Sequence, residues 1–118
     1  MSETYSAYLP GIRSRFLQER AAWETRRARA WEAARQIAAL LRSEFGVIHV
    51  LAFGSLVRAG RFDKHSDIDI AVRGIAALDY YQAVGRFYAF GEFDVDLIDL
   101  DYCAPALKAN IENEGVEL

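Results

Sequence analysis

Cysteine occurs once in this chain, at Cys103, so no internal disulfide can form, and Cys103 reads as a bystander. A chain that relies on its core instead of crosslinks suits a reducing compartment. No apolar run reaches the roughly 18 residues that would span a bilayer, and Met1 to Leu9 offers neither a basic n-region nor an apolar h-region. A cytosolic location with no membrane partner is therefore expected. Histidine is scarce as well. Neither His49 nor His65 has a second His or Cys at metal-ligand spacing. His49, inside an apolar run, is expected to be a hydrogen-bonded core residue, and His65 to shape its loop. Proline and glycine are missing from Ile12 to Phe45, and no repeat, low-complexity tract or linker interrupts the chain. Its 118 residues, 53% of them hydrophobic, predict one domain over 1–118.

Charge is unevenly spread. Residues 1–46 carry eight Arg against five Glu, and residues 47–118 carry six basic against twelve acidic side chains, or +3 and −6. The acidic part does not look like a nucleic-acid surface, so direct nucleic-acid binding is not expected. Carboxylates gathered for a metal would produce this balance, as would a solvated acidic surface.

Residues 12–45, rich in Ala, Arg, Glu and Leu and closed by Gly46, predict a long N-terminal helix. At about 1.5 Å per residue it would run some 50 Å. Trp31, Ala34, Ile37, Ala38, Leu41 and Phe45 recur at three- and four-residue spacing and predict the core face. The first half differs: Arg13, Arg15, Arg20, Arg26, Arg27 and Arg29 surround a sparse stripe of Phe16, Trp23 and Ala30. That half is expected to project and to meet a partner or a second copy of the chain.

The run 47–53 predicts a strand buried on both faces, ended by Gly54 and Ser55. A loop through Gly60 to Ser66 leads to a strand over 67–72, a helix over 76–90, a third strand over 93–100 and a helix over about 104–114. This order predicts an α/β (α+β) domain with a mixed sheet of three or slightly more strands packed by helices, residues 47–118 forming its core.

Three features carry chemistry. Gly54-Ser55 ends a strand where glycine lets backbone approach a phosphate, and the following amides point N–H groups at an anion if they open a helical turn. Asp67 and Asp69, two residues apart at a strand start, project from one face about 7 Å apart. Like charges so close raise each other's pKa unless a cation lies between them, which makes a divalent metal a natural partner. The third strand places Asp94, Asp96, Ile98 and Leu100 on one face; either Asp94 or Asp96 could join the pair, and a charge at Asp96 among apolar neighbours asks for compensation. The Tyr80, Tyr81, Phe87, Tyr88 and Phe90 cluster is expected to be core and helix surface.

The stretch Phe53-Gly54-Ser55-Leu56-Val57-Arg58-Ala59-Gly60, followed by Ser66-Asp67-Ile68-Asp69-Ile70-Ala71-Val72, resembles the signature of the DNA polymerase β-like nucleotidyltransferase superfamily. More closely it resembles the MNT group, the minimal nucleotidyltransferases encoded beside HEPN-domain proteins in toxin and antitoxin pairs. Val95-Asp96-Leu97-Ile98-Asp99-Leu100 and the segment 111–118 are similar to the same group. The resemblance covers 47–118 and selects Asp96 over Asp94. It implies two Mg²⁺ held by Asp67, Asp69 and Asp96, ATP or another NTP as substrate, and Gly54 and Ser55 on the phosphates, with Arg58 and Ser66 as further contacts. It implies a HEPN toxin as partner and AMP acceptor, and silencing of that toxin's RNase activity. Eleven residues separate Ser55 from Asp67, one more than members commonly have, with Ala59 the extra one; this bears on the loop and on Arg58 more than on the carboxylates. Two other functions use the same residues: an antitoxin that only occludes its toxin, and a stand-alone nucleotidyltransferase acting on a small molecule or RNA.

Overall fold

The Ala- and Arg-rich start of the chain forms one helix, α1 (Ser2–Phe45), in the computed structural model, which describes residues 2–118 and side chains from Gly11 onward. The helix begins at Ser2 and not at Ile12, because it continues through Pro10 and Gly11. Proline removes one intrahelical donor, but propagation adds a hydrogen bond per residue on either side and carries the helix across. Its 44 residues set the 64 Å long axis of a molecule only 31 × 18 Å in the other directions. The helix stops where expected. Gly46 takes the left-handed conformation at φ 67°, and the Val47 amide turns back to donate to the Leu41 carbonyl at 3.2 Å, closing the helix.

That closure uses Val47, so strand β1 starts later than the apolar run, at His49, and ends at Phe53. It is followed by a 3₁₀ turn (Gly54–Leu56), β2 (Ile68–Arg73), α2 (Ala77–Arg86) with a 3₁₀ extension (Phe87–Phe90), β3 (Val95–Asp99), α3 (Pro105–Glu114) and β4 (Val116–Glu117). The strands form a mixed sheet in the order β3-β2-β1-β4. β1 is antiparallel to β2 and β4, and β2 is parallel to β3 through the α2 crossover.

Alternation along the strands divides the side chains between two faces. Val50, Ala52, Ile68, Ile70, Val72 and Leu97 join Ala30, Ala34, Ile37, Ala38 and Leu41 of α1 and Ala83 of α2 in the main core. The opposite face holds a smaller cluster of Ala71, Leu100 and Ile111 of α3, flanked by Leu51, Phe53, Ile98 and Cys103. Asp67, Asp69 and Asp96 alternate onto this second face ahead of Ala71 and Ile98, with Asp69 opposite Phe53 of β1.

Three expectations need correction. β1 is not buried throughout: His49 is exposed, its Nδ1 3.5 Å from a Glu117 carboxylate oxygen, and Ile48 is 74% exposed. Both precede the part of the sheet that α1 and α3 sandwich. Asp96 is exposed, so it bears no burial cost among apolar neighbours. And the basic half of α1 does not project as a unit. Phe16 is exposed, but Trp23 is half-buried, Ala30 is in the core, and Arg26, Arg27 and Arg29 fold back onto the domain. Among the described residues no helix is long and apolar enough to cross a membrane.

Candidate active site

β1 delivers the first element of the site. Its last residue, Phe53, pairs with Asp69 of β2, which brings the next residue, Gly54, against the Asp69 side chain. A Cβ at Gly54 would lie 2.2 Å from Asp69 Oδ2, and Gly54 has φ 72°. Only glycine satisfies both the backbone conformation and the contact. The turn that follows closes through the Val57 and Arg58 amides on the Gly54 and Ser55 carbonyls, and no side chain caps its N-terminal end. Leu56 is fully buried and anchors the turn from below.

The parallel β2–β3 ladder delivers the second element. It sets Asp69 opposite Asp96 in register, while Ile68 N–H donates to the Asp94 carbonyl at 2.9 Å. Asp69 and Asp96 thus share a face of adjacent strands, with Asp67 just ahead of β2. Burial first, then the charges of Asp96 and Asp67, push the Asp69 carboxyl up to about 6. Burial, Asp96 and Asp94 raise Asp67 too, against the opposing pull of Arg26. A cleft of about 400 Å³ opens beside these groups, lined by Asp67, Asp94 and Asp96 with Phe87, Tyr88 and Phe93.

No three His, Cys, Asp or Glu side chains among the described residues are gathered closely enough to hold a metal by themselves. The donor chemistry nevertheless fits Mg²⁺, which takes hard oxygen ligands and is usually held by one or two carboxylates completed by water and substrate phosphates. The mutual repulsion of Asp67, Asp69 and Asp96 is the state that a divalent cation relieves.

The remaining sequence candidates sit differently. Arg58 is exposed, and its Nη2 donates to Glu114 Oε2 of α3 at 2.7 Å. Ser66 is engaged within its own loop: its Oγ accepts the Asp63 N–H at 2.9 Å and lies 3.4 Å from the Arg61 carbonyl. His65 is exposed, and its amide donates to Asp63 Oδ1. Tyr80 is half-buried with its hydroxyl donating to the Leu97 carbonyl of β3 at 2.6 Å, whereas Tyr81 and Tyr88 face solvent. Two residues near the site are absent from the sequence motifs. Arg27 Nε donates to the Leu56 carbonyl at 2.9 Å, and Arg26 Nε to the Asp63 carbonyl at 3.3 Å. Nothing local in the sequence marks them, since their reach depends on how α1 crosses the sheet.

A mixed sheet with a glycine turn against one strand aspartate and a second aspartate in register with it is the arrangement of a nucleotidyltransferase fold, and the comparisons agree. The family model described as "Polymerase beta, Nucleotidyltransferase" matches residues 35–118. The chain belongs to this polymerase beta nucleotidyltransferase family. Among solved structures it is similar to a chain assigned as a minimal nucleotidyltransferase, with 26% identity, a TM-score of 0.62, and coverage of 81% of this chain and 95% of that one. It is similar to a chain of a toxin–antitoxin complex with AMP-PNP, at 25% identity and TM-score 0.60, covering 71% of this chain and 70% of that one. It shares its fold with a chain from a tri-AMPylated Shewanella oneidensis HEPN toxin in complex with MNT antitoxin, at 24% identity and TM-score 0.57, covering 75% and 70%. No curated protein matches the chain by sequence.

Proposed function

We propose that this protein is a magnesium-dependent nucleotidyltransferase antitoxin that transfers a nucleoside monophosphate, AMP from ATP in the simplest case, to a HEPN-domain toxin and releases pyrophosphate. The observation that carries the reading is the Asp69–Asp96 register pair beside Gly54, whose missing Cβ leaves room for the Asp69 carboxylate. The likeness to a toxin–antitoxin chain crystallised with AMP-PNP supports a nucleotide at this site and a toxin as partner; the HEPN identity of the toxin rests on the sequence resemblance to the MNT group.

Asp67 and Asp69 would hold two Mg²⁺, with Asp96 sharing one of them. When bound, these ions offset about four negative charges of an NTP and stabilise the attacking and leaving oxygens. Gly54 and Ser55 would receive the β and γ phosphates on the uncapped end of their turn. Asp96 is exposed at the cleft, and in this reading it would accept the proton of the acceptor hydroxyl as its oxygen attacks the α-phosphorus. The α–β P–O bond then breaks and pyrophosphate departs. Arg58 would add positive charge to the phosphates once released from Glu114. Ser66 would contribute by holding the loop ahead of Asp67.

The acceptor is expected to be brought by the partner, docked on the projecting end of α1, where Ile12, Phe16 and Leu17 are exposed among Arg13, Arg15 and Arg20. Association of two copies through the same face is the alternative occupant. The test is Asp69→Ala in a neutralisation assay with binding followed in parallel. Lost neutralisation with intact binding supports catalysis, and intact neutralisation would mean that occlusion suffices.

A further inference from the structure

Two adjacent arginines of α1 reach the two loops that frame the site. Arg27 donates from Nε to the Leu56 carbonyl at 2.9 Å. That carbonyl ends the Gly54–Leu56 turn, whose own closing bonds use only the Gly54 and Ser55 carbonyls. Arg26 donates from Nε to the Asp63 carbonyl at 3.3 Å, and its guanidinium lies 4.6 Å from the Phe93 ring centroid and 5.8 Å from that of Phe62. Phe62 and Phe93 are both buried, 6.3 Å apart, and they head the two segments that carry the carboxylates, one leading through Asp63 to Asp67 and the other directly into Asp94 and β3.

Consecutive helix positions diverge by about 100° around the axis, so one short piece of α1 can hold one loop on either side of itself. We infer that Arg26 and Arg27 are positioning residues: Arg27 fixes the turn of Gly54 and Ser55, Arg26 fixes the loop ahead of Asp67, and α1 thereby sets the distance between the phosphate-binding amides and the carboxylates. Arg suits both roles. Its planar, permanently charged fork bonds a carbonyl at both positions, and at Arg26 its face also lies over the Phe93 and Phe62 rings, a combination that Lys does not reproduce. Residues 26 and 27 lie ahead of the segment 35–118 that the family model matches.

The inference rests on the nucleotidyltransferase reading for its consequence and on local dynamics for its premise, and the two are measured separately. Hydrogen exchange of the full chain is compared for wild type, Arg27→Ala, Arg26→Ala and Arg35→Ala, the last an exposed α1 arginine paired with Glu32 and stacked on Trp31. Arg27→Ala is expected to speed exchange in 54–58 and Arg26→Ala in 61–67, each by about tenfold, with the α1–β2 core unchanged. Titration with Mg²⁺–ATP is expected to show about tenfold weaker binding in both variants, partial recovery in Arg27→Lys and none of these effects in Arg35→Ala. Uniformly faster exchange, or variant exchange equal to wild type in both loops, overturns the positioning role. Localised exchange with unchanged Mg²⁺–ATP affinity also overturns it, because the loops would then be held without consequence for the ligand. A wild type that binds no Mg²⁺–ATP while the local exchange differences persist refutes the nucleotide reading itself.

Discussion

Gly54 and Asp69 occupy one space that only a glycine leaves free: a Cβ on residue 54 would fall 2.2 Å from the Asp69 carboxylate oxygen, at a backbone φ of 72° that other residues rarely adopt. The turn and the carboxylate are therefore positioned by each other. Gly54→Ala must both strain the backbone and move Asp69, at a cost of about 1–3 kcal/mol. The expected outcome is a Tm several degrees lower together with loss of nucleotidyl transfer, read by thermal unfolding and by pyrophosphate release.

Asp69 also makes stability depend on pH and metal. Its folded pKa, pushed up to about 6 by burial and by Asp96 and Asp67, lies above the unfolded value near 3.8. Between these values the folded state binds more protons than the unfolded one, so stability falls as pH rises. The contribution is fully present below the unfolded pKa and lost as pH passes through about 6. In chelator, the urea midpoint is expected to fall between pH 4 and pH 7, and Mg²⁺ to restore it at pH 7. Asp69→Asn should flatten the pH dependence and raise the metal-free stability at pH 7 by about 1 kcal/mol, as removal of a like-charge repulsion does.

The Asp-x-Asp pair was legible because strand alternation has a period of two and puts Asp67 and Asp69 on one face whatever the surrounding fold. The same rule could not separate Asp94 from Asp96, since both alternate onto that face. The parallel register of β2 and β3, a long-range property, is what sets Asp96 opposite Asp69. The β4 pairing of Val116 and Glu117 with β1 escaped because two residues carry no periodicity. His49 looked buried because its neighbours are apolar, yet it lies at a strand start beyond the helical cover. Arg26 and Arg27 read as part of a basic arm, because whether a helical arginine meets solvent or a loop carbonyl depends on where the helix crosses the sheet.

Arg58 and Glu114 provide a test of the phosphate contact. Their 2.7 Å pair is half-exposed, and such pairs contribute at most about 1 kcal/mol. Glu114→Gln is expected to leave unfolding nearly unchanged and to tighten Mg²⁺–ATP binding by freeing Arg58, whereas Arg58→Ala should weaken it. Equal affinity in both variants and wild type would remove Arg58 from the site.

Tyr80 ties α2 to the strand that carries Asp96, through a 2.6 Å hydrogen bond to the Leu97 carbonyl. Tyr80→Phe leaves that acceptor unpaired and is expected to destabilise by about 1 kcal/mol, measured as a shifted denaturant midpoint with unchanged slope.

The central claim is that Asp67, Asp69 and Asp96 act together in nucleotidyl transfer to a protein partner. Its most direct test is the intact mass of the proposed HEPN partner after incubation with this protein, ATP and Mg²⁺. The expected result is a mass increase of one or more AMP units with wild type and none with Asp69→Asn or Asp96→Asn, although both variants still bind the partner. An unmodified partner with wild type, or equal modification by the variants, would contradict the account.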